Sequence, residues 1–431
     1  LRNWILKYLE KKSKTSAKVL NMLFVCQPAK ALVSSLSPAA PGGSFAKAPP
    51  LPLAIVVLAI AAFVIVTTEF LMVGLLPALA RDFAVSVSLA GQLVTLFALV
   101  VMLFGPPLTA WLGHVERKRL FVAILVLFAG SNVLAALAPN IGVLAFARLA
   151  PALALPLFWG TASETAAQLA GPERAGRAVA LVYLGISGAM LFGIPLGTLA
   201  GDAMGWRAAF WVLAALSLGV AGLLQVAMPT MAATARVSLA TQARIVRDPV
   251  FVGNVLLSVG VFTAMFAGYT YLADMLERLA HVPPAQVGWW LMGFGAVGLA
   301  GNWLGGRWVD RWPLAVTGAF SVMLAVGMIA TTLASSSWAL LAIALAIWGV
   351  ANTALYPVCQ IRVMKSAPRA QALAGTINVS AANAGIALGA ILGGACIPAW
   401  GIGSVGRVAA SVALLAAFGA AAVSRLRSRA A

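Results

Sequence analysis

The chain has 431 residues, of which 62% are hydrophobic and 9% charged, with a mean hydropathy of +0.98. So few charges cannot cover a water-facing surface, which excludes a soluble globular protein. The net charge of +18 does not gather into a basic patch with interleaved aromatics, which excludes a nucleic-acid partner.

Residues 1–48 carry eight Lys or Arg and one Glu, and run into the Pro, Ala and Gly-rich SPAAPGGSFAKAPPLP. They read as a flexible basic tail, with Met22 an internal candidate for the start and the run VLNMLFVC too short to span a bilayer. Apolar segments then recur at 52–79, 88–112, 120–138, 141–169, 176–200 and 207–228. Six more follow at 249–273, 287–309, 314–334, 338–363, 372–398 and 404–424. Runs of about 20 apolar residues in lipid select helices, because the backbone must satisfy its own polar groups. The sequence therefore predicts an all-α membrane protein with twelve transmembrane helices in two six-helix halves, 49–228 and 249–431, the second ending in a short basic tail. The polar stretch 229–248 joins them as a linker.

The Lys and Arg of short loops sort unequally. Sixteen, among them Arg117, Lys118, Arg119, Arg174, Arg362 and Arg425, fall on one side, against Arg81, Arg207, Arg278 and Arg407 on the other. The positive-inside rule then places the linker and both termini in the cytoplasm. The halves also repeat: the seventh span starts 197 residues after the first (249 against 52), and Gly113 and Gly197 have counterparts at Asp310 and Gly394. Parallel repeats of this kind are a transporter architecture.

One charge interrupts the first span. Glu69, in TTEFLMVGLLPALARDF, lies about ten residues from the outer end, roughly 15 Å deep. A charge at that depth costs at least ~2.5–3.5 kcal/mol, so it faces a cavity, pairs with a cation, or carries a proton.

Three stretches carry a family resemblance: TEFLMVGLLPALARDFAVS, GIPLGTLAGDAMGWRAAFW from Gly193 to Trp211, and INVSAANAGIALGAILGG from Ile377 to Gly394. Over about residues 51–424 the chain resembles the major facilitator superfamily. Within its drug:proton antiporter branch, it is similar to the bacterial arabinose, sugar and chloramphenicol exporters. The resemblance implies a proton-coupled exporter of a small organic solute in the bacterial inner membrane, functional as a monomer. A sugar or nucleoside exporter and an uncoupled facilitator stay open as alternatives. Gly193, Pro195 and Gly197 match the antiporter signature of the fifth helix, where small residues permit close approach and proline bends the helix.

The superfamily's loop motif after the second helix is kept only as GPPLTAWLGHVERKR. Gly113, His114 and Glu116 replace its Asp, first Arg and second Gly, while Arg117, Lys118 and Arg119 keep its basic cluster. The second half keeps Gly306, Asp310 and Arg311, which the resemblance assigns to a gating loop. In the superfamily the first and fourth helices face a central cavity, so Arg148 becomes the expected partner of Glu69 in proton coupling. The 197-residue offset maps that pair to Phe266 and Leu345, leaving the second half without either charge. That half offers instead Asn254, Tyr269, Tyr271, Trp348, Asn352, Tyr356 and Gln360, aromatics and amides suited to an uncharged or amphiphilic solute.

Glu164 is expected to meet Arg174 or Arg177, and Asp202, Asp274 and Glu277 to be ordinary interfacial groups. No enzyme motif is present: GxSxG, Walker A and HExxH are missing. Cys26, Cys359 and Cys396 are too scattered for a disulfide framework or metal cluster, and His114 and His281 fall on opposite faces. No cofactor or metal is expected.

Overall fold

In lipid every backbone N–H and C=O must find its partner inside the protein, and the apolar segments do so as helices. The computed structural model describes residues 52–112, 115–171, 174–231, 245, 247–309, 311–368 and 371–430. Among them the helices are α1 (Leu53–Asp82), α2 (Val87–Leu112), α3 (Arg117–Ala136), α4 (Ile141–Ala170), α5 (Ala175–Gly188), α6 (Ile194–Met204) and α7 (Trp206–Ala227). The second half contributes α8 (Pro249–Tyr269), α9 (Leu272–Arg278), α10 (Pro284–Val309), α11 (Pro313–Leu333), α12 (Trp338–Ser366), α13 (Gln371–Trp400) and α14 (Ser404–Ala430).

Among the described residues eleven segments are long and apolar enough to cross a membrane, with α5–α6 and α8–α9 each counted in one crossing. The twelfth crossing, α10, is 26 residues long but rich in glycine, with Gln286 and Asn302 among them. The crossings alternate, so Leu53 and Ala430 share one face, here the terminal face, and the α1–α2 and α8–α10 turns lie at the far face. The expected tail, most of the linker (232–244 and 246), Gly113, His114 and Asp310 lie outside the described residues.

The repeat is visible in the helix starts. Leu53 and Pro249, Val87 and Pro284, Arg117 and Pro313, Ile141 and Trp338, Ala175 and Gln371, Trp206 and Ser404 are each 196 to 198 residues apart. Both halves pack their first and fifth crossings the same way. Gly185 lies on the Ala59 carbonyl and Gly385 on the Val259 carbonyl, a separation of 126 residues in each half. A side chain at Gly193 would collide with Thr67, so the antiporter-motif glycines serve first as the seam between α1 and the fifth crossing.

Two crossings depart from a continuous α-helix. The fifth runs on to Met204 and widens into one π turn, Ala189–Gly193, in which the Ile194 N–H reaches the Ala189 carbonyl. Pro195 follows immediately and has no N–H to continue the α pattern, so the bend read from the sequence takes this form. The seventh breaks at Thr270 and Tyr271. There the Tyr271 ring enters the room left by Gly91 of α2 and Gly394 of α13, and its hydroxyl donates to the Ala390 carbonyl at 2.7 Å.

The halves meet along α2 with α13 and α6 with α10. Ser88 donates to the Gly394 carbonyl at 2.7 Å, and Gly288 sits against Leu199 and the Pro195 carbonyl. Gly193→Val is expected to force α1 and the fifth crossing apart at a cost of about 1–3 kcal/mol. A lowered thermal midpoint of the detergent-solubilised protein is the readout, and an unchanged midpoint would mean that α1 moves aside freely.

Candidate transport site

Glu69 projects from the middle of α1, a helix buried along most of its length, yet Glu69 itself is only half-buried. Among the described residues no donor reaches its carboxylate within hydrogen-bond or ion-pair distance. Arg148, 1% exposed, comes from α4 to the same level. The expected side-chain pair is not formed. The guanidinium instead donates to the backbone carbonyls of Thr68 at 2.7 Å and Glu69 at 2.9 Å, and lies over the Phe97 ring at 4.6 Å. A guanidinium is planar and multiply donating, so it grips two successive carbonyls of one turn and leaves the Glu69 carboxylate open to the space between the halves. Asn132 supports the turn by donating to the Thr68 hydroxyl at 3.3 Å.

Facing this, the second half presents an uncharged aromatic cluster. Tyr269 stacks on Phe294 at 5.5 Å, Phe294 meets Trp348 edge to face at 5.7 Å, and Phe266 bridges from Tyr269 to Phe70 of α1. On α12, Trp348, Asn352 and Tyr356 recur every four residues and so share one face. The Trp348 indole N–H, both amide atoms of Asn352 and the Tyr356 hydroxyl have no hydrogen-bond partner among the described residues. The Tyr356 ring also borders a cavity of about 40 Å³ with Ser187, Met190 and Asn302, at the seam of the halves.

The other cavity candidates are placed elsewhere. Tyr271 is wedged between α2 and α13. Gln360 accepts from Asn378 at 2.6 Å. Asn254 accepts from Arg362 through both its backbone and side-chain oxygens at 2.8 Å, and Ser258 accepts a third bond at 2.9 Å. Arg362, read from the sequence as one more loop cation, is therefore 2% exposed and joins α12 to α8. Asn254 and Ser258, one helical turn apart on α8, were the available signal for a buried partner.

At the terminal face Arg117, 2% exposed, pairs with Glu164 at 3.0 Å, so the start of α3 supplies a partner to this acid. Lys118 and Arg119 lie toward the surface, Gly306 is half-buried, and Arg311 lies over the Trp312 ring at 4.7 Å. Glu116, which replaces a motif glycine, caps α3: it accepts from Lys118 N–H at 3.0 Å and Arg119 N–H at 2.9 Å. It also accepts from the Met231 N–H at 3.2 Å, which ties the exit from α7 to this loop. At the far face Asp274 and Glu277 are more than interfacial: Asp274 is buried beside Arg278 at 3.2 Å, and Glu277 pairs with Arg81 at 2.6 Å.

Two repeated six-helix units, a carboxylate and a guanidinium at one level on the first and fourth helices and a neutral wall opposite define a membrane transporter rather than an enzyme. The family model described as Major Facilitator Superfamily matches residues 58–281 and 257–431, and the chain belongs to that superfamily. It is 35% identical over 368 residues to the inner membrane transport protein YdhP of Escherichia coli O157:H7, covering 84% of this chain and 94% of that protein. It is 30% identical to a "probable sugar efflux transporter" of Helicobacter pylori strain G27, covering 84% and 93%. It is 34% identical to a chloramphenicol efflux pump of Mycobacterium tuberculosis, covering 78% and 84%. The fold is shared with an inward-facing bacterial homologue of the human lysosomal transporter Spinster, at a TM-score of 0.72 and 16% identity, covering 86% of this chain and 96% of that one.

Burial raises the Glu116 pKa, but the amides of Arg119, Lys118 and Met231 and the Arg119 charge outweigh it and hold the carboxyl below its usual range. A depressed folded pKa contributes stability that is present above the unfolded value and lost as pH falls through the folded one. Glu116→Ala is expected to cost about 0.5–2 kcal/mol at neutral pH and to flatten the acid limb of thermal stability below the carboxylate range. An acid limb as steep as that of the wild type would show that Glu116 contributes nothing there.

Proposed function

We propose that this chain is a secondary exporter of the bacterial inner membrane that exchanges protons for a small organic solute by alternating access. The observation that carries the reading is Glu69: a half-buried carboxylate deep in a span, with no bonding partner among the described residues, beside a cation already engaged by backbone carbonyls. Because Arg148 holds the α1 backbone rather than the carboxylate, Glu69 can gain or lose a proton without releasing α4 from α1. The efflux names of the Helicobacter and Mycobacterium relatives support export. Loop cations such as Arg119, Arg311 and Lys365 gather at the terminal face, which by the positive-inside rule supports a cytoplasmic position for that face and both termini, and the cycle is read as that of a monomer.

The solute is uncharged. The groups left without partners on α12, Trp348, Asn352 and Tyr356, are neutral donors and acceptors, and an uncharged molecule with hydroxyl or carbonyl groups pairs them without burying a charge. This favours a sugar-like or other neutral polar solute over a cationic drug.

In proteoliposomes, solute uptake driven by a pH gradient is expected to collapse in Glu69→Gln while exchange of labelled for unlabelled solute persists. Wild-type coupling in that variant would sink the proton assignment. Asn352→Ala is expected to raise KM for a neutral polar solute about 5- to 150-fold, the loss of about 1–3 kcal/mol of hydrogen bonding, with proton coupling unchanged. An unaltered KM would remove Asn352 from the solute site.

A further inference from the structure

Two contacts across the halves join residues that are each other's counterparts in the repeat. Phe70 and Phe266 meet as tilted rings with centroids 5.7 Å apart, and Arg81 and Glu277 form an ion pair at 2.6 Å. Each pair is separated by 196 residues, the interval between the starts of α1 and α8, Leu53 and Pro249, so along these two helices the counterpart of Glu69 is Met265, one residue before the Phe266 that the 197-residue offset assigned. When two copies of a unit are related by a two-fold rotation, a residue meets its own counterpart only on the axis. The pseudo-two-fold axis therefore runs between α1 and the seventh crossing, past Phe70–Phe266 at mid-depth and out through Arg81–Glu277 at the far face.

Position on the axis imposes a rule on what can stand there. An aromatic facing its own copy is favourable, so the inner pair stays Phe with Phe. A charge facing its own copy is like against like, and repulsive. The outer pair breaks that symmetry, Arg in the first half and Glu in the second, and so converts the worst place for a duplicated charge into an attraction. The neighbouring charges leave Arg81 to Glu277: Asp82 is taken by Arg207 at 2.8 Å and Trp206 at 3.1 Å, and Arg278 by Asp274. Ser88 on Gly394 closes the same end.

We propose that Arg81 and Glu277 form an axial latch that holds the far face shut, and that this face opens when the latch parts. Phe70 and Phe266 form a second closure on the same axis beneath it. A pair on the axis separates by the full opening between halves that tilt about the centre, so it reports and resists that motion directly. The inference rests on the repeat and the superfamily membership, and is independent of proton coupling at Glu69.

The test uses the full chain in lipid nanodiscs, with Cys26, Cys359 and Cys396 replaced by Ala and Ser88→Cys introduced as a reporter under the latch. The rate of maleimide labelling at that position measures far-face opening. Arg81→Glu and Glu277→Arg each place like charges on the axis and are expected to raise the rate about threefold to fivefold, the scale of an exposed ion pair. The exchanged pair, Arg81→Glu with Glu277→Arg, restores the wild-type rate. The neutral variants Arg81→Gln and Glu277→Gln, which remove attraction without adding repulsion, give a smaller rise and guard against a misfolded reversal. Single reversals that label at the wild-type rate would overturn the proposal, as would an exchanged pair that labels as fast as the single reversals.

Discussion

A guanidinium inside a membrane protein must find its bonds in protein, and here two of them find those bonds in the first helix of their own half. Arg148 from α4 holds the Thr68 and Glu69 carbonyls of α1, and Arg362 from α12 holds Asn254 and Ser258 of α8. The cost of placing such a charge at depth, at least ~2.5–3.5 kcal/mol, is offset only while those acceptors stay in place. Each half is thus tied across the same pair of helices, and can move as a body without losing its own tie.

The ties sit at different levels, and the difference separates the duties of the halves. Arg148 enters seven residues past the far-face end of α4, next to Glu69, whereas Arg362 lies in the last two turns of α12 at the terminal face. The first half therefore carries its charge at the centre. The second half keeps its own charge away from the centre and fills that level with Tyr269, Phe294 and Trp348. One body offers charge to the space between them and the other offers shape and neutral hydrogen bonds.

The sequence made the frame legible because membrane physics leaves few choices: apolar length fixed the crossings, and the helix starts repeat at 196–198 residues, where 197 was expected. The ends were less legible. Nothing in the apolar run from 249 to 273 marks the break at Thr270, because it depends on a Tyr271 ring accommodated by Gly91 and Gly394, two residues far away in sequence. The site was half legible for the same reason. Glu69 and Arg148 stood out as charges in apolar runs, but which atoms Arg148 would grip depends on helix rotation, which spacing does not give. Arg362 was hidden because loop charges and buried charges look alike at a helix end, and Glu277 because its partner Arg81 lies in the other half.

The small cavity at the seam bears on how the cycle turns. Solute sites measure roughly 300–1,000 Å³, so the 40 Å³ beside Tyr356 and Asn302 is too small to hold a solute as it stands. In that state the partnerless groups of Asn352, Trp348 and Tyr356 each carry a desolvation cost of about 1–3 kcal/mol, and the far face is held by Ser88 on Gly394 and Arg81 on Glu277. The centre is thus strained toward acquiring partners while the periphery is satisfied. A ligand shifts a conformational equilibrium only by binding one state better than another. On the proposed reading, a solute that pairs the α12 groups supplies that difference at the centre, where closure otherwise leaves polar atoms unpaired. Closure around solute is then less costly than closure around nothing, which is the asymmetry a carrier needs to move its cargo.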